Sequence, residues 1–214
     1  MGTLNTKLST LNKMLHLHPI KNQASPYWDS LVRVYLQSFP LDEQRPIESI
    51  AHLLTEEPRY TMHAIIDDEN EDLWSKHTHP LNAKPYTLNT RQTLGLLTTW
   101  HFEEFIYIEH FAIDPTLRSQ GYGSEALKAF IHEHGKPIVL EAEPPTDALS
   151  IRRIKFYERI GLTLYDFPYM QPAYTENSHP VELRLMGTLD TEATPLSLVS
   201  QILHREVYGW VDND

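Results

Sequence analysis

Seven consecutive residues, Arg118, Ser119, Gln120, Gly121, Tyr122, Gly123 and Ser124, constrain this chain most, because they leave an apolar strand-like run at 105–113 and open a helix-like one. The first N–H groups of a helix have no intrahelical acceptor, and the helix dipole adds partial positive charge there, so a phosphate settles on such a start. A side chain at Gly121 or Gly123 would keep an anion off the backbone. Arg118 stands ready as a mobile counter-charge. A plain bend joining strand to helix carries the same two glycines, so the turn by itself leaves both readings open.

A second segment, Arg152 Arg153 Ile154 Lys155 Phe156 Tyr157 Glu158 Arg159 Ile160 Gly161 Leu162, makes the pattern specific. Together the two segments resemble the signatures of the GNAT superfamily of acyl-CoA-dependent N-acyltransferases. The phosphate-binding turn of that family reads Arg or Gln, two residues, Gly, one residue, then Gly or Ala, and Arg118, Gly121 and Gly123 fill those positions. Its later helix carries Phe-Tyr, followed by Gly and a large apolar residue that begins the next strand. Phe156, Tyr157, Gly161 and Leu162 match it, with an apolar strand at 138–142 between the two signatures. The resemblance covers the middle third of the chain.

The resemblance implies a mixed α/β fold with a twisted, mostly antiparallel central sheet, splayed in the middle and flanked by helices. The diverging strands would be 105–113 and 138–143, with acetyl-CoA as co-substrate in the wedge between them. Main-chain groups of Phe111, Ala112 and Ile113 would bond the pantetheine arm as an added strand does, and the amides of residues 119–124, with Arg118, would hold the pyrophosphate. Phe156 would flank the cofactor. Ser150 stands where many members place an Asn that contacts it, and has the shorter reach. Tyr157 would be the general acid that protonates the CoA sulfur. The activity implied is transfer of an acetyl group to a primary amine of a small molecule or peptide, by direct attack in a ternary complex. The alternative is a noncatalytic acyl-CoA-binding sensor or interaction module.

Acetylating an amine needs a neutral nucleophile, and alkylamines are mostly protonated at neutral pH, so a carboxylate has to take the proton directly or through water. Glu109 is the first candidate, on the strand leading to the glycine turn, where alternation puts Tyr107, Phe111 and Ile113 on its face. Glu141 and Glu143, on the opposing strand, are the reserves. Each of the three reads equally well as an exposed or ion-paired strand residue. The region 28–54 and the loop 167–174, with Tyr169 and Tyr174, occupy positions that often wall the acceptor site in this family; a packed structural loop has the same composition.

With 214 residues, 41% of them hydrophobic, the chain suffices for one substantial core. The expected organisation is an N-terminal arm at 1–12 and one acetyltransferase-like domain at 13–214 ending in an amphipathic helix. Lack of cysteine removes disulfides, a thiolate nucleophile and transfer through an enzyme cysteine. A formal charge of −11 disfavours nucleic acid and anionic lipid as partners and favours cationic amines. A homodimer is compatible with this reading. The absence of a membrane-length apolar run and of a secretory block near Met1 leads to a cytoplasmic expectation. The proposed chemistry needs no metal, and none is expected: His16 and His18, His77 and His79, and His132 and His134 stand two apart without a visible third ligand. No Gly-Lys-Ser or Gly-Lys-Thr follows the turn, which argues against a P-loop.

Periodicity predicts strands at 14–20, 60–66, 94–100, 105–113, 138–143, 162–167 and 181–186. Helices are predicted at 25–40 (Ser25 as N-cap, Pro26 at N1), 46–54, 124–134, 148–160 and 195–208. A long solvated connection is expected from 67 to 92.

Overall fold

A computed structural model describes residues 15–67 and 92–210. The expected arm at 1–12, the connection beyond Asp67, and His77 and His79 lie outside the described residues. In chain order the elements are β1 (Leu15–Ile20), α1 (Trp28–Ser38), α2 (Ile47–Glu56), β2 (Tyr60–Asp67), β3 (Gly95–His101), β4 (Ile106–Ile113), α3 (Tyr122–His134), β5 (Ile138–Ala142), α4 (Ala148–Arg159), β6 (Thr163–Leu164), β7 (Tyr169–Gln171), β8 (Val181–Gly187) and α5 (Leu196–Ile202). The strands form one sheet in the order β1-β2-β3-β4-β5-β8-β6, with β7 added beside β8. Every pairing is antiparallel except β4 with β5. This is the open mixed α/β sheet expected from the sequence.

Both faces of the sheet are covered, which explains the nearly continuous apolar runs of β3 and β5. On one face Leu31, Val34 and Tyr35 of α1 and Ile50 of α2 pack with Trp100, Tyr107, Val139 and Leu185. On the other, Leu127 and Phe130 of α3 and Ile154 and Tyr157 of α4 pack with Ile106, Ile108, Leu140 and Met186. Gly135, with φ of 59°, ends α3 in the left-handed conformation foreseen for a C-terminal glycine. No helix among the described residues is long and apolar enough to cross a membrane.

Several boundaries differ from the sequence expectation for identifiable reasons. Ser25 organises a turn ahead of α1, its hydroxyl accepting from Tyr27 N at 3.3 Å, so the helix starts later than that cap implied. The strand expected at 162–167 pairs only over β6, and the expected loop 168–174 contains β7, in which Tyr169 and Gln171 are buried while Met170 is exposed. The C-terminal helix widens into a π-turn at 203–207, which still buries Val199, Leu203 and Val207 along its stripe.

A bulge in the β3/β4 ladder has the largest consequence. Thr98 pairs with His110 and Thr99 with Ile108, leaving Glu109 as the extra residue. Strict alternation put Phe111 and Ile113 on the face of Glu109; the extra residue changes the parity, and this expectation is corrected. Glu109 and His110 both reach the α1/α2 side, where they meet Arg45 and Tyr35. Phe111 and Ile113 pack toward α3 and α4.

Candidate active site

The parallel pair in the middle of the sheet creates the site. β4 and β5 are in register only at Ile106↔Ile138, Tyr107↔Val139 and Ile108↔Leu140. Beyond Leu140, Glu141 and Ala142 continue to pair with β8, at Leu185 and Arg184, while β4 follows β3. The two strands therefore part, and the β5-side backbone edge of residues 109–113 faces the gap instead of a ladder. A cavity of about 660 Å³ fills the gap, lined on one strand by residues 108–113 and on the other by residues 140–143.

The glycine turn closes one end of this cavity. Gly121 has φ of 91°, a conformation that strains any L side chain, and a Cβ there would come no nearer than 4.0 Å to Glu125 Oε1. Its glycine is thus required by the backbone. At Gly123 a Cβ would lie 3.4–3.5 Å from Ile113, Phe111 and Phe156, all cavity residues, so this glycine lets the first turn of α3 sit tightly on β4 and α4. Ser119, with φ of 64°, completes the tight bend. Arg118 is held by Ile113 O at 3.2 Å and Ser38 Oγ at 3.3 Å. Arg118, Ser119, Gly121, Tyr122, Gly123 and Ser124 line the cavity together with Phe111, Ala112 and Ile113. Gln120 is exposed and is not among the lining residues.

Helix α4 supplies the opposite wall through Phe156 and Tyr157. Its start is a capping box: Asp147 Oδ1 accepts from Leu149 N at 2.7 Å and Ser150 N at 2.9 Å, while Ser150 Oγ accepts from Asp147 N at 3.1 Å. The Ser150 hydroxyl is therefore engaged in ending the helix, and Ser150 is buried outside the cavity lining. Tyr157 is buried against the cavity, and desolvation pushes its phenol up to about 12. It keeps its proton at neutral pH and can only donate one.

Four carboxylates, Glu43, Glu109, Glu141 and Glu143, line the cavity in different states. Glu109 Oε1 accepts from Arg45 Nε at 3.0 Å, Arg45 NH2 at 2.7 Å and Tyr174 OH at 2.9 Å, and Oε2 from Trp100 Nε1 at 3.0 Å. Although burial opposes its charge, the Arg45 guanidinium, the neighbouring His110 and the Trp100 hydrogen bond hold Glu109 below the usual carboxylate range. Glu143 is paired with Arg153. Glu141 has no cation among the ion pairs of the described residues: Oε2 accepts from Tyr107 OH at 2.8 Å and Tyr208 OH at 2.9 Å, and the Tyr169 hydroxyl acts on the same buried carboxylate. Burial, only partly offset by the surrounding tyrosine hydroxyls, pushes Glu141 up to about 7. Burial and the neighbouring Glu143 also raise Glu43.

The structure thus brings both motif segments, Tyr157 and all three candidate carboxylates to one cavity, and adds Tyr174, which lines it, while Tyr169, buried on β7, is not among the lining residues. Sequence reasoning gave Tyr107 only as a neighbour of Glu109, covered Arg45 and Gln171 only within the broad regions 28–54 and 167–174, and did not single out Trp100 or Tyr208. Local pattern carries no signal for them, because the partners lie as far apart as 162 residues in the chain, as in the 2.9 Å bond from Arg45 NH2 to Val207 O. No group of three or more metal-ligating side chains is assembled among the described residues.

Comparison with known proteins matches this geometry. A family model described as "Acetyltransferase (GNAT) family" matches residues 28–162. A solved structure described as a putative acetyltransferase from the GNAT family of Bacteroides thetaiotaomicron superposes with a TM-score of 0.75 at 30% identity, covering 92% of this chain and 99% of that one. Arabidopsis thaliana NAA60, solved in complex with a bisubstrate analogue, superposes with a TM-score of 0.53 at 11% identity, over 82% and 97% of the two chains. The Escherichia coli ribosomal-protein-S18-alanine N-acetyltransferase gives 0.51 at 14% identity, over 81% and 92%. These last two likenesses are of fold. No curated protein sequence matches the chain.

Proposed function

The chain belongs to the GNAT acetyltransferase family, and from that premise we propose that it transfers an acetyl group from acetyl-CoA to a primary amine by direct attack, with Glu141 as base and Tyr157 as acid. One observation carries the reading: the parted strands, the glycine turn, an uncompensated buried carboxylate and a protonated tyrosine all face a single cavity.

The fit to an acyl-CoA rests on the backbone. The open edge of β4 at 109–113 offers alternating N–H and C=O groups to an extended amide-bearing arm, and the start of α3 offers N–H groups to a diphosphate. Arg118 and Arg152 stand beside that start, Arg152 NH2 lying 3.4 Å from Ser119 Oγ. Acetyl-CoA supplies an activated thioester carbonyl. On the protein side, Glu141 takes a proton from the incoming ammonium before attack, which frees the lone pair that forms the C–N bond, and the second proton the nitrogen sheds on becoming an amide leaves to solvent. Tyr157 gives its proton to the departing thiolate as the C–S bond breaks.

Glu141 replaces Glu109 as the preferred base for a physical reason. A base working near neutral pH is most effective when its own pKa lies there. Glu141 sits at about 7. Glu109 is held low by Arg45 and has its oxygens bonded to four donor groups, so it serves better as an anchor that joins β4 to the α1–α2 connection, to β3 and to Tyr174.

The test is release of free thiol from acetyl-CoA in the presence of an amine panel, together with the mass increase of the acceptor. Tyr157→Phe should lower kcat by ~10²-fold while acetyl-CoA affinity stays within about twofold. An unchanged kcat would refute the acid assignment. Tight acyl-CoA binding with no turnover on any amine would favour the sensor reading instead.

A further inference from the structure

We propose that the acceptor is an amine with a carbonyl oxygen close to the nitrogen, as in an aminoacyl amide or peptide N-terminus, and that Gln171 selects it by donating to that oxygen. The inference rests on the acetyl-transfer reading above and names its substrate class.

Buried polar groups in proteins are nearly always hydrogen-bonded, so a cluster of buried groups without partners at a cavity points to what fills it. Five buried side-chain polar atoms lack a hydrogen bond among the described residues: Tyr60 OH, His63 Nδ1, Glu141 Oε1, Tyr169 OH and Gln171 Nε2. Three of the five belong to one place. Tyr169 and Gln171 are alternate residues of β7 and so share a face of that strand, and both are 3% exposed. The Tyr169 hydroxyl and the Glu141 carboxylate act on each other, so of the three Gln171 Nε2 is the atom left without a partner, and Glu141 and Gln171 line the same cavity.

The chemistry of the unpaired atoms defines the missing partner. Ionised Glu141 can only accept, and Gln171 Nε2 can only donate and has no acceptor. A simple alkylamine or a polyamine offers N–H donors alone. It would satisfy Glu141 and leave Gln171 Nε2 buried and unmet, which costs on the order of 1–3 kcal/mol. An amine with an adjacent carbonyl offers both: its nitrogen to Glu141, its oxygen to Gln171. Glu141 forms no ion pair among the described residues, so the amine also brings the only charge of opposite sign to it.

The experiment compares glycinamide with ethylamine as acceptors for the wild-type enzyme and for Gln171→Met. The two amines differ in basicity, so the readout is a double ratio: the preference for glycinamide in kcat/KM for wild type, divided by the same preference for the variant. Amine basicity cancels in that quotient. Methionine keeps the length of the side chain and breaks no hydrogen bond of Nε2, because that atom has none. The expected double ratio is about tenfold or more. A ratio within twofold of one would overturn the proposal and would mean that water alone occupies the Gln171 amide. Acetyl-CoA affinity and the melting temperature of the variant, both expected to match wild type, separate selection from damage to the fold. If wild type turns over neither amine, their binding to the enzyme–CoA complex gives the same double ratio. Failure of the protein to bind acetyl-CoA at all would instead strike the acetyl-transfer reading, and this inference would fall with it.

Discussion

Replacing Arg45 with methionine isolates the buried pair that anchors β4 to the α1–α2 connection. Arg45 and Glu109 have side chains 10% and 0% exposed, and their shortest contact is 2.7 Å. The substitution keeps most of the apolar stem. It removes two bonds to Glu109 Oε1 and the 2.9 Å bond to Val207 O, which ties the chain after α5 to the sheet. Glu109 would retain Trp100 and Tyr174 as donors but would be a buried carboxylate without a cation. Breaking one side of such a pair costs about 3–5 kcal/mol, equivalent to roughly 10 °C in melting temperature for a chain of this size. The pH dependence separates this cause from lost packing. In the wild type the carboxyl of Glu109 is lowered, so its contribution is present above the unfolded value near 4.5 and is lost as pH falls. In the variant burial dominates and the carboxyl rises, so destabilisation grows as pH increases above that same value. Urea unfolding at several pH values should show a gap between the two proteins that is wide at pH 7.5 and narrows toward about pH 5. A gap under ~1 kcal/mol, or one that does not vary with pH, would refute the argument.

Three further outcomes are expected. Glu141→Gln should lower kcat/KM by about 10²–10³-fold and abolish the acidic limb of the wild-type pH–rate profile, which should titrate near 7 because the base must be ionised to act. A limb that survives the substitution would assign the base elsewhere. Gly121→Ala should cost about 1 kcal/mol and weaken acyl-CoA binding, whereas Gly135→Ala, also at positive φ, should cost a similar amount and leave binding unchanged; equal affinities in calorimetry would remove the glycine turn from the site. His63 is held down at about 4 by burial and by the neighbouring His134, His101 and His18, so its contribution is intact above the unfolded value near 6.5 and declines as pH falls toward 4. His63→Leu should therefore flatten the loss of stability on acidification by at most about 3 kcal/mol, and parallel curves for the two proteins would contradict this.

The parts of the fold written in local pattern were legible. The glycine turn, the Phe156-Tyr157 helix and the strands expected at 94–100 and 105–113 follow from apolar period and turn residues, and the structure reproduces their order and close bounds. Residue parity was not. One extra residue in β4 turns Phe111 and Ile113 away from Glu109, and nothing in the run 105–113 marks where a bulge falls. The ranking of carboxylates was equally hidden. Glu109 and Glu141 look alike as charged residues in apolar strands, yet one meets Arg45, Trp100 and Tyr174 and the other meets Tyr107 and Tyr208. Those partners come from distant elements, so the difference exists only once the sheet is assembled.

The four carboxylates of the cavity show how one negatively charged wall can carry structure and chemistry together. Glu109 and Glu143 are matched by Arg45 and Arg153, each with a short guanidinium contact, and a matched carboxylate has little attraction left for a substrate. Glu43 and Glu141 have no such partner among the ion pairs of the described residues, and burial raises both. In the proposed reaction an ammonium entering the gap would meet two carboxylates whose desolvation it relieves, Glu141 being the more buried of the two. The same approach prepares the nucleophile. On the proposed mechanism, proton transfer to Glu141 would relieve the unfavourable burial of its charge, so the environment that draws the amine in would also be the one that takes its proton.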